Sequence, residues 1–222
     1  MDFTKYVWLL ESKALFFSRS DLLGDAFEGS YARANEALRP EVYKDKIPAG
    51  ILKTISDFAR WVRQWTFINC WHLNWAESAG MWRLYARTSE AVAIRTTFAA
   101  LCEVLPSHIF VGLVKYIDYD TEWLPEGNAF YPFLHKRHSF AHENEVRAIW
   151  QELPSIGGKI VIGTESKDTG RSVPVDLARF VHGVHVAPTA PDWFVAVVEG
   201  VTRRYGFEFA VDRSRLDDAP FF

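Results

Sequence analysis

Short apolar runs typical of strands alternate irregularly with amphipathic segments, and this pattern constrains the fold more than any other feature of the sequence. Val92–Arg95 is one such run, whereas Ala49–Trp65 repeats its apolar residues at the three- and four-residue steps of a helix. The elements lack the regular strand–helix–strand order of a parallel sheet. The sequence therefore predicts an α+β fold with a mixed, mainly antiparallel sheet and packed helices, as a single domain over residues 1–222.

The overall composition sets limits on location and partners. The chain has 222 residues, a length that suits one domain, and a net charge of −3 with a pI near 6.2. Nucleic-acid binding usually shows as a basic excess, so the global charge gives no reason to expect it, although a local basic patch is left open. The N-terminus lacks the pattern of a signal peptide, and no apolar run approaches the roughly 20 residues of a membrane span. We expect a cytoplasmic protein without membrane association.

The two cysteines, Cys70 and Cys102, each lie in an apolar run. Neither belongs to a C-x-x-C pair that would indicate a zinc or redox site. Free thiols in apolar runs usually behave as small buried hydrophobic groups. The sequence thus predicts two buried, reduced cysteines.

Residues 143–150 alternate polar and apolar side chains, which predicts a half-buried strand. Residues two apart on a strand share a face, so Glu143, Glu145 and Arg147 should lie side by side. Neighbouring carboxylates repel and one pKa rises unless a cation compensates, as Arg147 or Lys136 could. Two interpretations stay open: a site where one carboxylate polarises a substrate and the other acts as base, or an exposed, charge-balanced edge strand.

Lys136 itself falls in Phe133–Ser139, which we predict to be helical. The surrounding histidines do not match the H-E-x-x-H spacing of a zinc site, and we expect no bound metal there. The chain also lacks a glycine-rich phosphate loop and a G-x-S-x-G nucleophile motif.

A polar loop, Arg19–Ser30, follows a predicted buried strand. Loops held by a rigid scaffold often carry function, which makes Arg19, Asp25 and Glu28 candidates for substrate or cofactor binding. The alternative is that these acids only cap turns, as aspartate often does.

An aromatic pair, Trp82 and Tyr85, lies three residues apart in Glu77–Ala86, a predicted helix. Residues at this spacing share a helix face. Core packing is one interpretation, and a stacking wall for a base or a nicotinamide ring is the other.

Several segments together resemble a bacterial family known as domain of unknown function 2971. They are ALFFSRSDLLGDAFEGS, CWHLNWAESAGMWRLYA followed by VAIRT, VKYIDY and KRHSFAHENEVRAIW. The family has no general assigned activity. Gly24 and Ala26 depart from the asparagine and proline of its usual loop, which puts any role of those two positions in doubt. The resemblance implies that the matching positions form one site: Asp25, Phe27, Glu28, Trp82, Tyr85, Lys136, Glu143, Glu145 and Arg147.

The first functional hypothesis is an NAD-consuming enzyme resembling the ADP-ribosyltransferases, acting on nucleic acid or protein. That class has an early arginine or histidine after the first strand, an aromatic wall and a late Glu-x-Glu strand. Arg19, the aromatic pair and the Glu143–Glu145 segment occur in a compatible order. In such enzymes the second glutamate stabilises an oxocarbenium-like transition state, a role that would fall to Glu145 here.

Two alternatives belong to other classes. A metal-dependent nuclease or phosphodiesterase would hold Mg²⁺ on the four acids of the loop and strand, with Lys136 on the phosphate, although Arg147 stands where such enzymes often carry lysine. A non-catalytic module in phage defence would bind a small-molecule, nucleotide or protein partner. The sequence leaves the oligomeric state open.

Overall fold

The computed structural model describes residues 1–44, 46–86, 88–220 and 222. Within them the α-helices are α1 Phe3–Ser12, α2 Arg33–Val42, α3 Ala49–Val62, α4 Ala79–Tyr85, α5 Phe98–Val104, α6 Leu177–Phe180 and α7 Asp192–Arg204. Short 3-10 helices cover Ser20–Leu22, Arg63–Trp65, Tyr131–Phe133, His138–Glu143 and Arg215–Asp217. None of the helices in these ranges has the length and hydrophobicity that crossing a membrane requires.

The strands form four sheets in the described chain. They are β1 Ala14–Arg19, β2 Thr66–His72, β3 Val92–Arg95, β4 Phe110–Leu113, β5 Lys115–Ile117, β6 His135–Arg137, β7 Glu145–Gln151, β8 Ser155–Ile156, β9 Lys159–Ile160, β10 Gly170–Pro174, β11 Gly183–Val186 and β12 Val211–Arg213. The largest sheet has the order β10-β1-β2-β7-β4, the second has the order β12-β11-β3, and β5-β6 and β8-β9 form two-stranded sheets. Most pairs are antiparallel, so the predicted α+β class with a mainly antiparallel sheet is confirmed.

The chain divides into two compact units by its internal contacts. The first contains Met1–Leu15, Asn74–Pro106 and Ser172–Phe222, and the second contains Phe16–Leu73 and Ser107–Arg171. Each unit is discontinuous in sequence. The single domain over residues 1–222 therefore stays a prediction.

The second unit is built around the pairing of β2 with β7. The two strands run antiparallel over their full length, from Thr66 opposite Gln151 to His72 opposite Glu145. Helix α3 packs its C-terminal turn on one face of this pair. The apolar core there consists of buried side chains from α3, both strands and the 3-10 helix before β6: Trp61, Val62, Ile68, Phe133 and Ile149.

The helix predicted over Phe133–Ser139 is wrong. A 3-10 helix ends at Phe133, and His135–Arg137 form strand β6, which pairs in parallel with β5. The Lys115 N–H donates to the Leu134 carbonyl at 2.8 Å and aligns the two segments. Pairing with a strand about twenty residues earlier overrides the local helical pattern, as tertiary context often does.

The strand predicted from Glu143 begins two residues later. Glu143 ends a 3-10 helix, and Asn144 follows in the left-handed region with φ 39°. Strand β7 starts at Glu145. Asparagine is one of the few residues that adopt this conformation readily. The turn at Asn144 means that the shared strand face predicted for both glutamates holds only for Glu145 and Arg147.

The prediction of two buried cysteines is also wrong. Cys70 and Cys102 are free, and both are exposed as residues. Cys102 lies on α5, whose other face carries the buried Ala100 and Leu101. Cys70 lies near the end of β2, where the strand emerges from the core. An apolar neighbourhood in sequence did not indicate which face of each element is covered.

Candidate functional site

Arg147 lies at the centre of a buried set of charges in the second unit. Its guanidinium is only 1% exposed. Nη1 and Nη2 pair with the two carboxylate oxygens of Glu28, the second at 2.9 Å, and Nη1 also donates to the Phe133 carbonyl at 2.8 Å. Nε donates to Glu145 Oε2 at 2.6 Å. This use of every guanidinium nitrogen satisfies the cation that folding has removed from water.

Lys136 bridges the two glutamates of the Glu-x-Glu motif. Its ammonium donates to Glu145 Oε1 at 2.7 Å and to Glu143 Oε2. Strand β6 delivers the lysine, and the ring of Phe140 lies 4.5 Å from its Nζ. All the charged side chains joined by these contacts are buried, and we call them the charge network: Glu28, Lys136, Glu143, Glu145 and Arg147.

The charge network shifts the pKa values of its two adjacent glutamates in opposite directions. Burial opposes ionisation of Glu145, but Arg147 and Lys136 outweigh it and hold the pKa of Glu145 well below its usual range. Burial raises the pKa of Glu143, and the neighbouring Glu145 raises it further. The two carboxyl groups also share a hydrogen bond, so they take up and release protons as a pair.

The number of charges in the network explains why the pKa of a carboxyl group in it is raised. Three carboxyl groups face two cations, Lys136 and Arg147, in a region from which water is largely excluded. An uncompensated buried charge is costly, so one carboxyl group is driven toward its neutral form. Burial likewise raises the pKa of Glu28, against the opposing effect of Arg147.

The polar loop of the sequence analysis supplies two acids to this region. Asp25 accepts from the Phe27 N–H at 3.0 Å, which closes a local turn, and from Arg137 Nη2 at 2.7 Å. The Arg137 guanidinium also lies over the Phe27 ring, 4.2 Å from its centroid. Thus Glu28 contacts Arg147 within the charge network, and Asp25 contacts Arg137, which follows Lys136 on β6.

In the largest sheet, Arg147 lies between one residue of β2 and one residue of β4. Gly112 of β4 and Cys70 of β2 lie directly opposite it on either side. A Cβ at Gly112 would lie 2.9 Å from the Leu134 side chain, so Leu134 already covers that side. Cys70 on the other side is exposed as a residue.

His72 lies opposite Glu145 and ties β2 to the turn that carries Glu143. Its Nδ1 donates to the Glu143 carbonyl at 2.6 Å. The next residue repeats this connection, since the Leu73 N–H donates to the Asn144 carbonyl at 2.9 Å. Tyr116 completes the frame by accepting a hydrogen bond from the Glu145 N–H at 2.9 Å. These contacts fix both glutamates through their backbone.

Sequence reasoning missed four residues that contact or border the charge network. They enter through strand pairings and turns whose partners no local pattern specifies: Cys70, His72, Tyr116 and Arg137. One signal was available. Cys70 and His72 are two residues apart, a spacing that places both on one face of any strand that contains them.

Arg19, Trp82 and Tyr85 have other surroundings. The Arg19 guanidinium contacts Asp21 and donates to the Ser166 and Asp168 carbonyls at 2.7 and 2.9 Å. Trp82 Nε1 donates to Glu77 at 2.9 Å, and Tyr85 is 54% exposed. Both aromatic residues belong to the first unit, so their convergence with the charge network stays a prediction.

The carboxylates of the charge network bind cations supplied by the protein itself. In the described residues no group of three or more histidine, cysteine, aspartate or glutamate side chains is arranged to hold a metal ion. The imidazole of His135, which precedes Lys136 on β6, donates from Nδ1 to the Tyr131 carbonyl at 2.7 Å. What the arrangement offers chemically is a pair of carboxyl groups, one held ionised and one inclined to hold a proton.

No protein-family model, curated protein or solved structure matches this chain. The resemblance to domain of unknown function 2971 therefore stays a prediction.

Proposed function

We propose that the protein is an enzyme that cleaves the N-glycosidic bond of NAD and transfers ADP-ribose to a nucleophile on nucleic acid or protein. The observation that carries this proposal is the pair of carboxyl groups bound to one lysine, with pKa values displaced in opposite directions. Environments that separate the pKa values of two neighbouring acids are typical of acid–base sites.

Glu145 has the properties needed to stabilise positive charge. Cleavage of the bond between the ribose C1′ and the nicotinamide nitrogen leaves an oxocarbenium-like centre, and the bonding electrons depart with nicotinamide. A carboxylate that stays ionised and rigid lowers the barrier by stabilising this charge. Lys136 and Arg147 keep Glu145 ionised, and the two cations hold it through both oxygens.

Glu143 has the complementary properties of a base. A raised pKa makes its ionised form a better proton acceptor near neutral pH than an ordinary glutamate. In the proposed reaction the acceptor hydroxyl or amine forms a bond to C1′ and loses its proton to Glu143. The net products are ADP-ribosylated acceptor, nicotinamide and one proton.

The contacts give the phosphodiesterase alternative less support. Metal-ion catalysis requires carboxylate oxygens directed at the ion. Glu145 instead directs both oxygens at Lys136 and Arg147, and Glu28 directs both at Arg147. A non-catalytic binding module has no observation of its own in its favour, and we treat it as an outcome of the test.

The test is to incubate the purified protein with NAD, alone and with DNA, RNA or a protein extract, and to measure nicotinamide by liquid chromatography. We expect nicotinamide release and an acceptor that carries ADP-ribose. The Glu145→Gln variant should lose roughly 100-fold or more in rate, the scale of removing one electrostatic stabiliser from a transition state.

The matched control is Glu152→Gln, which neutralises an exposed carboxylate of the same unit and should keep the wild-type rate. A protein that releases no nicotinamide and shows no NAD binding by calorimetry would contradict the proposal.

A further inference from the structure

Two arginines flank the turn that carries Glu28, and they come from different parts of the second unit. Arg137 of β6 donates from Nη2 to Asp25 Oδ1 at 2.7 Å. Arg63, which follows the end of α3, donates from Nη2 to the Ala26 carbonyl at 3.4 Å. The turn itself is closed by the Glu28 N–H, which donates to the Asp25 carbonyl at 3.0 Å. The two guanidinium groups therefore contact consecutive residues of one turn.

The acids of this turn leave the charge of Arg63 uncompensated. Glu28 directs both oxygens at Arg147, and Asp25 contacts Arg137. In the described part of the chain Arg63 forms no ion pair, and its guanidinium has the single long bond to a carbonyl. The side chain is partly exposed. A cation in this position attracts an anion from solvent.

Packing contacts fix both arginines in place. The Arg137 guanidinium lies 4.2 Å from the ring centroid of Phe27 and 5.3 Å from that of Phe140. The stem of Arg63 packs against Gly29, where a Cβ would lie 3.1 Å from Arg63 Cγ. Within the described residues, Nε of each arginine lacks a hydrogen-bond partner. Guanidinium groups that are positioned by the protein but short of acceptors are suited to bind phosphate oxygens.

Phe27 adds an aromatic surface beside the two cations. It is 44% exposed, although the Arg137 guanidinium lies over its ring. The buried Tyr119 meets the same ring in a T-shaped contact, with the centroids 6.0 Å apart. An exposed ring that is held by two neighbours can stack against a nucleobase. The turn thus combines cations for phosphate groups with a surface for a base.

We propose that Arg63, Arg137 and Phe27 form a binding site for a nucleoside diphosphate, with the phosphates on the two guanidinium groups and the base on the phenyl ring. The site lies beside the charge network, because the Phe140 ring that contacts Arg137 also lies 4.5 Å from Lys136 Nζ. In the proposed reaction the ligand would be the ADP half of NAD, and this assignment rests on the proposed function. The binding of a free nucleoside diphosphate does not.

The first experiment is calorimetric titration of the wild-type protein with ADP, AMP and adenosine, in the presence of EDTA. We expect ADP to bind about tenfold or more tightly than adenosine, with AMP between them. Raising the salt concentration from about 50 to about 300 mM should weaken the binding of ADP and leave that of adenosine unchanged. A protein that binds none of the three at about 1 mM, or that binds ADP no better than adenosine, would overturn the proposal.

The second experiment repeats the titrations with variants that circular dichroism has shown to be folded. Arg63→Met and Arg137→Met should each weaken ADP about tenfold and change adenosine little. Phe27→Leu should weaken ADP and adenosine by similar factors. The matched control is Arg60→Met, because Arg60 is exposed on α3 and pairs with Asp57. It should bind ADP as wild type does.

Arg63→Met keeps the test decisive even if Arg137→Met fails to fold and leaves Asp25 without its cation. Arg63 has no ion pair to lose, and methionine retains the stem that packs at Gly29. Equal affinities for ADP in wild type, Arg63→Met and Arg60→Met would overturn the inference.

The titrations also separate this site from the proposed function. ADP binding that depends on Arg63, without nicotinamide release from NAD, would support the site and contradict the NAD proposal. Nicotinamide release by a protein whose ADP binding ignores both arginines would contradict the site alone.

Discussion

Arg147 and Glu28 are 119 residues apart in the chain and form a paired guanidinium–carboxylate contact, with Arg147 Nη2 2.9 Å from Glu28 Oε2. Both side chains are 1% exposed. This ion pair attaches the polar loop after β1 to β7, an interior strand of the largest sheet. It therefore fixes the position of the strand that also carries Glu145.

Replacing Glu28 with glutamine should destabilise the protein by about 3 kcal/mol, because the amide can accept only one of the two hydrogen bonds that Arg147 donates to the carboxylate. Urea denaturation followed by tryptophan fluorescence measures this loss. The control Glu152→Gln, at an exposed ion pair, should change stability by less than about 0.5 kcal/mol.

Arg147→Met should cost less in the Glu28→Gln background than in wild type, because the first substitution has already broken the ion pair that the second would remove. If the double variant loses the full sum of the two single effects, Arg147 and Glu28 do not act as a pair.

Replacing Lys136 with methionine should make stability depend more steeply on pH. Glu143 and Glu145 would face each other without their shared cation, and at neutral pH their repulsion should destabilise the fold. As pH falls, protonation relieves the repulsion, so the variant should approach wild type near pH 5. The measurement is the free energy of unfolding at pH 5 and pH 8, with the exposed Lys167→Met as control.

The stability contributed by Glu145 should disappear in acid. Its folded pKa lies below the unfolded value of about 4.3, so its contribution is complete above that pH and declines as pH falls toward the folded value. The contribution of Glu143 to stability has the opposite sign. Its raised pKa makes its ionisation in the folded protein costly as pH rises past about 4.3.

Because the two contributions to stability change in opposite directions with pH, the Glu145→Gln and Glu143→Gln variants can be compared directly. The stability lost in Glu145→Gln should grow from pH 3 to pH 7, while Glu143→Gln should gain on wild type over the same range. If the stability of the two glutamine variants depends on pH in the same way, the pKa values of Glu145 and Glu143 are not displaced in opposite directions.

Gly112→Ala should cost about 1 kcal/mol, since a new Cβ would lie 2.9 Å from the Leu134 side chain. Leucine can shift its flexible end, which limits the cost. Gly127→Ala is the control, because a Cβ there meets no atom within 4 Å. Equal stability of both variants would show that Leu134 does not pack closely over this strand.

The sequence predicted the parts of the fold and site that depend on local periodicity. Alternation in β7 correctly placed Glu145 and Arg147 on one face, where Arg147 Nε meets Glu145. The strand Val92–Arg95 was predicted with its observed bounds. Period-2 and period-3.6 patterns follow from burial of one face, so they can be read without knowing the partner element.

The remaining features depend on partners far away in the chain. Lys136 lies on a strand because β5 pairs with it, and Cys70 borders the site because β2 pairs with β7. Glu143 leaves the strand at a left-handed Asn144, although it still meets Glu145 through Lys136. Local patterns do not specify which segments pair, so these positions required the structure.

The most direct test of the proposed chemistry is the rate of nicotinamide release from NAD by wild type, Glu145→Gln, Glu145→Asp and Glu152→Gln, measured side by side. If Glu145 stabilises the developing positive charge, the glutamine variant should lose roughly 100-fold or more, aspartate should retain part of the rate, and Glu152→Gln should equal wild type. Nicotinamide release that is the same in Glu145→Gln and wild type, or that is absent from all four proteins, would contradict the account.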